Sequence, residues 1–218
     1  MYAQGPSRFL LAEYERALWV MPEASVLIVE NDTAKVEADL AEGRLSCPSC
    51  RGVLAAWSFA RRRFVRAETG PLELRPRRGR CRGCAKTHVL LPDAVVCRRV
   101  DAVAAIGRAL VAAAKGTGWR RVAVLVGRPF STVRGWLRRA RSRAGELAVH
   151  FLAWAHRLDP NLGPARPGGS ALADAVEAIG AAARAASLRI RPLPAWSWAS
   201  VLSGGALLSN TSSPSKPS

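Results

Sequence analysis

Two Cys-x-x-Cys pairs, CPSC at 47–50 and CRGC at 81–84, constrain the fold of this 218-residue chain more than any other feature. Such a pair lets two thiolates approach a metal ion from one tight turn, with each sulfur about 2.3 Å from the ion. Thirty residues separate the pairs, a spacing that suits a zinc ribbon, in which strands carry the two turns. We therefore expect one structural Zn²⁺ ion, bound by Cys47, Cys50, Cys81 and Cys84.

Other interpretations of the cysteines fit less well. A redox pair occurs singly beside a helix start in a βαβ unit, and the sequence has no such pattern. A disulfide framework is disfavoured because the chain has five cysteines and is long enough to build a core without cross-links. The fifth cysteine, Cys97, is expected to be a small buried residue. His88 is close enough to Cys84 to reach a metal, but with four thiolates present we expect it to be structural or to face phosphate.

The positive charge of the chain is concentrated in its centre. Lysine and arginine outnumber acidic residues by 33 to 16, which gives a net charge of +17. The net charge is −4 over residues 1–45 (4 basic, 8 acidic), +10 over 46–100 (13 and 3) and +9 over 101–158 (11 and 2). A GC-rich genome would explain the preference for arginine over lysine but not this clustering, so the central block predicts a surface for a polyanion.

No apolar run approaches the roughly 18 residues that are needed to span a membrane. The first twenty residues contain Glu13, Glu15 and Arg16, where a signal peptide needs an apolar run. Free thiolates for zinc also suit a reducing compartment. We expect a soluble, cytoplasmic protein with no membrane partner.

Nine arginines form two clusters, at 61–66 and 75–82, which lie between the two cysteine pairs and extend into the second pair. A solvated face is the usual explanation of a charge run, but solubility is served by mixed signs, and acidic residues are scarce here. We therefore expect the ribbon to contact phosphate groups. The arginines selected as contacts are Arg75, Arg77, Arg78 and Arg80.

The segment GWRRVAVLVGRPFSTVRGWLRRAR has the spacing of a helix-turn-helix. Ala123 lies four residues before Gly127, and Val133 and Trp136 lie six and nine residues after it. The small residue lets two helices cross closely, the glycine makes the turn, and the later apolar pair packs the second helix back. Ser131 is the expected N-cap of that second helix. A plain helical hairpin is the alternative.

The apolar stripe of the second helix divides it into two faces. Val133, Trp136, Leu137 and Ala140 are expected inside, which leaves an outward face for the major groove of double-stranded DNA, formed by Ser131, Thr132, Arg134 and Arg138. The two outward arginines are four residues apart, and each can donate to guanine O6 and N7. Arg120, Arg121 and Arg128 are expected to contact the sugar-phosphate backbone.

These patterns together predict an α+β fold, in which a small antiparallel zinc ribbon is followed by a mostly helical helix-turn-helix domain and a C-terminal helix. In the lead-in, VLIV is the strand, Asn31 or Asp32 caps the helix, and Gly43 ends it. Either Met1 or Met21 is the start. Five segments are expected. Residues 1–45 form an acidic lead-in with a short strand and helix, residues 46–93 form the ribbon, and residues 94–158 form the helix-turn-helix domain with a long C-terminal helix. Residues 159–208 contain a linker and an Ala-rich helix, and residues 209–218 form a disordered tail.

The last third of the chain gives weaker signals. The second helix of the motif either continues through Leu147 and Phe151 or breaks near Gly145. Ser170 is expected to cap the Ala-rich helix, which is too weakly apolar to fold well alone. Trp196 and Trp198, just before the tail, are expected to anchor it to a neighbour.

Three segments carry a resemblance to known families: VLIVENDTAKVEADLAEGRLSCPSC, CRGCAKTHVLLP and GRPFSTVRGWLRRAR. Together they resemble uncharacterised bacterial proteins that combine a zinc ribbon with a helix-turn-helix, and they are similar to the N-terminal DNA-binding half of insertion-sequence transposases. The resemblance covers about residues 25–158 and implies DNA binding in a mobile-element context, with the four cysteines as ligands and residues 119–141 contacting bases. Arg51 and Ala85 depart from it, because such turns often have glycine after the second cysteine.

A catalytic function is not expected. Transposases of that kind continue into a domain with three separated acidic residues that hold magnesium, whereas the acidic residues after position 100 here lie on amphipathic helices and a linker. The leading hypothesis is a zinc-dependent, sequence-specific DNA-binding protein with no small-molecule substrate. We expect it to be nucleoid-associated and to act either in transposition or as a transcriptional regulator. The alternatives are a protein-interaction adaptor that binds a transposase or forms a homodimer, and an inactive transposase remnant. RNA binding lacks an obvious aromatic stacking surface.

Overall fold

The computed structural model describes residues 26–163 and 168–208, a mixed α+β chain. The expectations for residues 1–24 and for the tail 209–218 lie outside the described residues. The strands are β1 (Val26–Val29), β2 (Leu54–Phe59), β3 (Arg63–Ala67), β4 (Gly70–Leu74), β5 (Arg77–Cys81) and β6 (Thr87–Pro92). The helices are α1 (Thr33–Ala41), α2 (Val103–Ala114), α3 (Trp119–Val126), α4 (Phe130–Ser142), α5 (Ala144–Leu158), α6 (Ala171–Arg189) and α7 (Ala195–Leu202).

The main sheet has four strands in the order β1-β6-β5-β2, and β3 and β4 form a separate antiparallel hairpin. β6, β5 and β2 are antiparallel, but β1 is parallel to β6, with Val26 opposite Val89. The strands within the predicted ribbon are thus antiparallel to one another, and β1 of the lead-in extends their sheet in parallel, which was not predicted. The physical reason is the composition of β1: Ile28 packs into the helical core while Leu27 and Val29 pack into a second, smaller core, so both faces of the strand are buried.

The smaller core lies between α1 and the sheet. Val36 and Leu40 of α1 pack there against Leu54 of β2, Leu90 of β6 and the cysteine thiols. Asp32 caps α1 by accepting hydrogen bonds from the backbone N–H groups of residues 34 and 35, at 2.9 and 3.2 Å, as predicted. The lead-in is thus one wall of the core that holds the cysteine pairs.

The larger core is made mainly by helices, and α6 fills its centre. Its alanines at 175, 178, 182 and 186 are all buried, and α6 packs along α5. Small side chains let two helices approach closely, so the alanine content that made α6 look marginal in isolation is what allows it to pack. Ser170 is its N-cap, as predicted. The long helix breaks at Arg143, between α4 and α5.

The short helix α7 was not predicted. Trp198 is fully buried in it and donates from Nε1 to Ser187 Oγ at 2.9 Å. The indole of Trp196 lies flat against α2 at Gly107, where a methyl group would come within 2.1 Å of the ring. Trp196 therefore anchors the C-terminal part of the chain to a helix of the same chain. Within the described ranges, no helix is both long and apolar enough to cross a membrane.

The contact between Gly107 and Trp196 gives a test of this packing. Alanine favours a helix by about 1 kcal/mol over glycine, yet Gly107→Ala should destabilise the protein by about 1–3 kcal/mol, because the rigid indole must move. Gly180→Ala is the matched control: its methyl group would meet only the mobile guanidinium end of Arg184 at 3.2 Å. We expect this variant to be as stable as wild type or slightly more so. Equal denaturant midpoints for the two variants would contradict the packing.

Candidate metal centre and basic surface

The four predicted cysteines lie together at one end of the sheet. All four sulfur atoms are within 4.8 Å of one another. Cys47 Sγ lies 3.7 Å from Cys84 Sγ, and Cys50 Sγ lies 3.3 Å from Cys81 Sγ. Four sulfurs at 2.3 Å from a tetrahedral ion are about 3.8 Å apart, so the cluster has the size of a four-thiolate site. These residues can hold one metal ion.

The two cysteine pairs form turns of the same geometry. The N–H of Arg51 donates to the carbonyl of Cys47 at 3.0 Å, and the N–H of Ala85 donates to the carbonyl of Cys81 at 3.1 Å. Arg51 and Ala85 have φ angles of 65° and 58°, the left-handed conformation that glycine adopts most easily. Arginine and alanine therefore stand where such turns often have glycine, and both turns keep their geometry at a small cost in backbone conformational energy.

Backbone N–H groups surround the sulfur atoms. Ser49 N–H points to Cys47 Sγ at 3.4 Å, and Gly83 and Cys84 N–H point to Cys81 Sγ at 3.3 and 3.4 Å. Burial acts to raise the pKa of Cys81, but the hydrogen bonds from the N–H groups of Cys84 and Gly83 and from the Cys50 thiol lower this pKa to about 6. A backbone hydrogen bond from Gly52 acts to lower the pKa of Cys50, whereas sharing protons with its cysteine neighbours raises it to about 12. The site therefore favours thiolate at Cys81 even before all four sulfurs are deprotonated.

His88 and Cys97 are not additional ligands in this arrangement. His88 is 2% exposed, and its Nε2 lies 3.3 Å from Cys47 Sγ. It is therefore a structural residue that can donate to a thiolate, and it does not face phosphate. Cys97 lies away from the cluster, packed against the larger core, and burial raises the pKa of its thiol.

The arginines of the sheet differ in accessibility. Arg75 and Arg80 are exposed, whereas Arg77 and Arg78 are half-buried. Arg77 also binds Glu37 of α1 at 2.7 Å, so part of its charge is already used within the protein. Three guanidinium groups of this set lie over aromatic rings of β2, as described below. Neither ring was predicted as a contact residue, although Trp57 and Phe59 are two residues apart, the spacing of neighbours on one face of a strand.

The helix pair α3 and α4 is joined by the three residues 127–129. Gly127 has φ 61° and ψ 42°, a left-handed turn, as its predicted role requires. The four residues predicted inside are all buried, which confirms the inward face: Val133, Trp136, Leu137 and Ala140. The predicted N-cap is wrong. α4 begins at Phe130 with Pro129 in the N-cap position, so Ser131 lies inside the first turn.

The opposite face of α4 is accessible. Ser131, Arg134 and Arg138 are exposed and Thr132 is half-buried. Arg120 and Arg121 are exposed on the neighbouring α3. The guanidinium groups of Arg120 and Arg134 lie 4.8 and 5.9 Å from the ring centre of Trp119. Trp119 thus places arginines of both helices side by side.

Arg128 does not belong to this accessible set, which makes it poorly placed for the contact with the DNA backbone that the sequence predicted. Its side chain is 12% exposed and binds the buried carboxylate of Asp101 at 2.6 Å. It also donates to the backbone carbonyls of Arg66 and Ala67 at 2.9 and 3.2 Å. Arg66 contacts the same carboxylate at 2.8 Å. This network fastens the β3–β4 hairpin to the turn before α4.

The comparisons with known proteins cover only part of the chain. A family model described as "Domain of unknown function (DUF6431)" matches residues 47–117, which extend from the first cysteine past the end of α2. The helix pair α3–α4 lies outside this match. No curated protein and no solved structure matches the chain.

The cysteine cluster makes a prediction about metal content. We expect one metal ion per chain in the purified protein, and Cys50→Ser should lose it, because one of four ligands is removed. Cys97→Ser is the matched control and should retain the ion, since Cys97 lies outside the cluster. Elemental analysis and native mass spectrometry measure both. Equal metal content in the two variants would show that the cluster is not the site.

The Asp101 network makes a prediction about stability. Asp101→Asn keeps the shape of the side chain but leaves Arg128 without a counter-charge in a half-buried position, so we expect a loss of about 3 kcal/mol. The control is Glu68→Gln, which removes the partner of Arg108 in a pair whose side chains are 47% and 49% exposed. That change should cost less than about 1 kcal/mol. Denaturant unfolding distinguishes the two.

Proposed function

We propose that this chain is a zinc-dependent, non-catalytic protein that binds double-stranded DNA with sequence preference. The observation that carries the proposal is the accessible face of α4, which presents Arg134 and Arg138 in a segment that lacks acidic residues. Residues 102–145 contain ten lysines and arginines and no aspartate or glutamate. Such a charge distribution favours a polyanionic partner.

The helix pair supports base contact by α4. The left-handed turn at Gly127 and the buried face of α4 are the features that a helix-turn-helix requires, and its second helix enters the major groove with its N-terminal residues near the bases. Ser131 and Arg134 lie in the first two turns of α4. Arg134 and Arg138 lie on one face, where each guanidinium can contact a guanine.

Phosphate contacts would flank this helix. Arg120 and Arg121 are exposed on α3, and Arg75 and Arg80 are exposed on the ribbon side. Arg77 and Arg78 are less suited to this role, because they are half-buried. Since the Asp101 network ties the β3–β4 hairpin to the turn before α4, this hairpin and the helix pair would engage DNA as one unit.

The metal would be structural zinc. Four thiolates are a soft ligand set that zinc prefers, and a site closed by four protein ligands leaves no open position for a substrate. The smaller core contains two of these sulfurs, so the ion would stabilise the sheet. Nucleoid association and a role in transposition or transcription follow as proposals from DNA binding and from the resemblance to transposase DNA-binding segments.

Selection from randomised duplex DNA tests the proposal. Wild type should enrich a defined sequence, and its affinity should fall as salt rises, by roughly 0.9 in log K per decade of salt for each phosphate contacted. Replacing both Arg134 and Arg138 by alanine should reduce discrimination between the enriched duplex and a scrambled duplex by about ten-fold or more, since each guanine contact is worth about 1–3 kcal/mol.

Replacing both Arg184 and Arg189 by alanine is the charge-matched control, because both arginines are exposed and lie on α6, not on the helix pair. This variant should keep the discrimination of wild type. The proposal is wrong if wild type enriches no sequence, or if the α4 double variant discriminates as well as the control does. If this protein still retains a protein partner after DNA has been removed from the sample, that result would then favour the adaptor hypothesis.

A further inference from the structure

Two large aromatic side chains on β2 are exposed. Trp57 is 56% exposed and Phe59 is 44% exposed. A soluble domain normally buries such rings, and exposed aromatic residues beside charged groups often mark a binding surface. The two residues lie two positions apart on a strand that belongs to the most basic part of the chain.

Arginine side chains lie over both rings. The guanidinium carbon of Arg80 is 4.7 Å from the ring centre of Trp57. Those of Arg75 and Arg77 are 4.7 and 4.4 Å from the ring centre of Phe59. Guanidinium stacking orients a ring and surrounds it with positive charge. The arginines thereby hold the rings in place but leave part of each ring accessible to solvent.

The position of β2 makes the rings accessible. In the described part of the chain, β2 is the last strand of the sheet and pairs only with β5. Its register shifts between Ala56 and Ser58, so that Trp57 has no partner on β5. Bulges at sheet edges commonly redirect a side chain toward a ligand. Here the bulge directs an indole outward at the open edge.

The charge around the rings points to an anionic partner. Arg75, Arg77 and Arg80 supply three positive charges, and Glu37 is the acidic residue that binds one of them. A flat ring beside a guanidinium matches the two parts of an unpaired nucleotide, since the base can stack on the ring and the phosphate can bind the arginine. In a duplex the base faces are already stacked on each other and cannot reach the rings.

We infer that the β2 edge, formed by Trp57 and Phe59 with Arg75, Arg77 and Arg80, binds single-stranded nucleic acid by base stacking. This goes beyond the proposed duplex binding by α4, and of the residues named there it uses only Arg75 and Arg80 again. It also replaces the expectation that the chain lacks an aromatic stacking surface. A protein with both surfaces can bind a duplex and an unpaired strand beside it.

The test compares ligands that differ only in their bases. Labelled oligo-dT and oligo-rU present unpaired bases, and an abasic strand of equal length presents the same phosphates without bases. Wild type should bind oligo-dT or oligo-rU more tightly than the abasic strand. The double variant Trp57→Leu with Phe59→Leu keeps apolar side chains but removes both rings, and should lose roughly five- to one-hundred-fold in affinity for the base-containing strand. Its affinity for the abasic strand should not change.

Two further variants separate stacking from damage to the fold. Trp57→Phe retains a ring and should recover part of the affinity that Trp57→Leu loses. Phe64→Leu is the matched control: Phe64 is 60% exposed on β3, and no guanidinium of the described chain is recorded over its ring. It should bind as wild type does. A preference for oligo-dT or for oligo-rU identifies the natural strand as DNA or RNA.

The inference is overturned if the double variant binds oligo-dT and oligo-rU as wild type does. It is also overturned if the double variant loses as much affinity for the abasic strand as for the base-containing strands. Equal affinity of wild type for oligo-dT, oligo-rU and the abasic strand would also overturn it. The result is different if only the duplex proposal fails. Replacing Arg134 and Arg138 then leaves the discrimination between the enriched and the scrambled duplex unchanged, while the ring variants still lose affinity for the single strand.

Discussion

The carboxylate of Asp101 is the interaction on which the arrangement of the chain depends. It is 1% exposed and lies between two arginines, one from the β3–β4 hairpin and one from the turn before α4. A buried charge is tolerated only when it is paired and hydrogen-bonded, so the hairpin and the turn must be adjacent for Asp101 to be stable. Arg128 strengthens the link by also donating to two carbonyls of the hairpin. The hairpin that lies between β2 and β5 in the chain and the helices that carry the exposed arginines are thus joined through one carboxylate.

The cysteine cluster and the helical core are joined by β1. Alternate residues of this strand enter the two cores, and it pairs in parallel with β6, the strand that contains His88, which contacts Cys47. A metal at the four thiolates would therefore stabilise the smaller core directly and the larger one through a shared strand. This explains why the acidic segment that contains β1 is part of the same fold.

Two kinds of accessible surface result. One is the outward face of α4 with its arginines, and the other is the open edge of β2 with its exposed rings. Both combine arginine with an aromatic residue: Trp119 lies beneath Arg134, and Trp57 lies beneath Arg80. In the first case the tryptophan is half-buried and positions arginines, whereas in the second the ring itself is accessible. The same pair of residue types therefore supports two different modes of contact.

Local spacing in the sequence was enough to predict the two cysteine turns, the inward face of α4, the turn at Gly127, the caps of α1 and α6, and the distribution of charge. These follow from the identity of a residue and of its near neighbours. Long-range packing accounts for four other features: Arg128 is bound inside the protein, β1 joins the sheet, α6 is central to the core, and Trp57 and Phe59 are exposed. Each of these depends on a partner far away in the sequence, such as Asp101 for Arg128, β6 for β1 and α5 for α6, or on a bulge that a periodic pattern does not reveal. An arginine in a basic segment has the same sequence signature whether its charge faces solvent or a buried carboxylate, so the distinction exists only after the chain has folded.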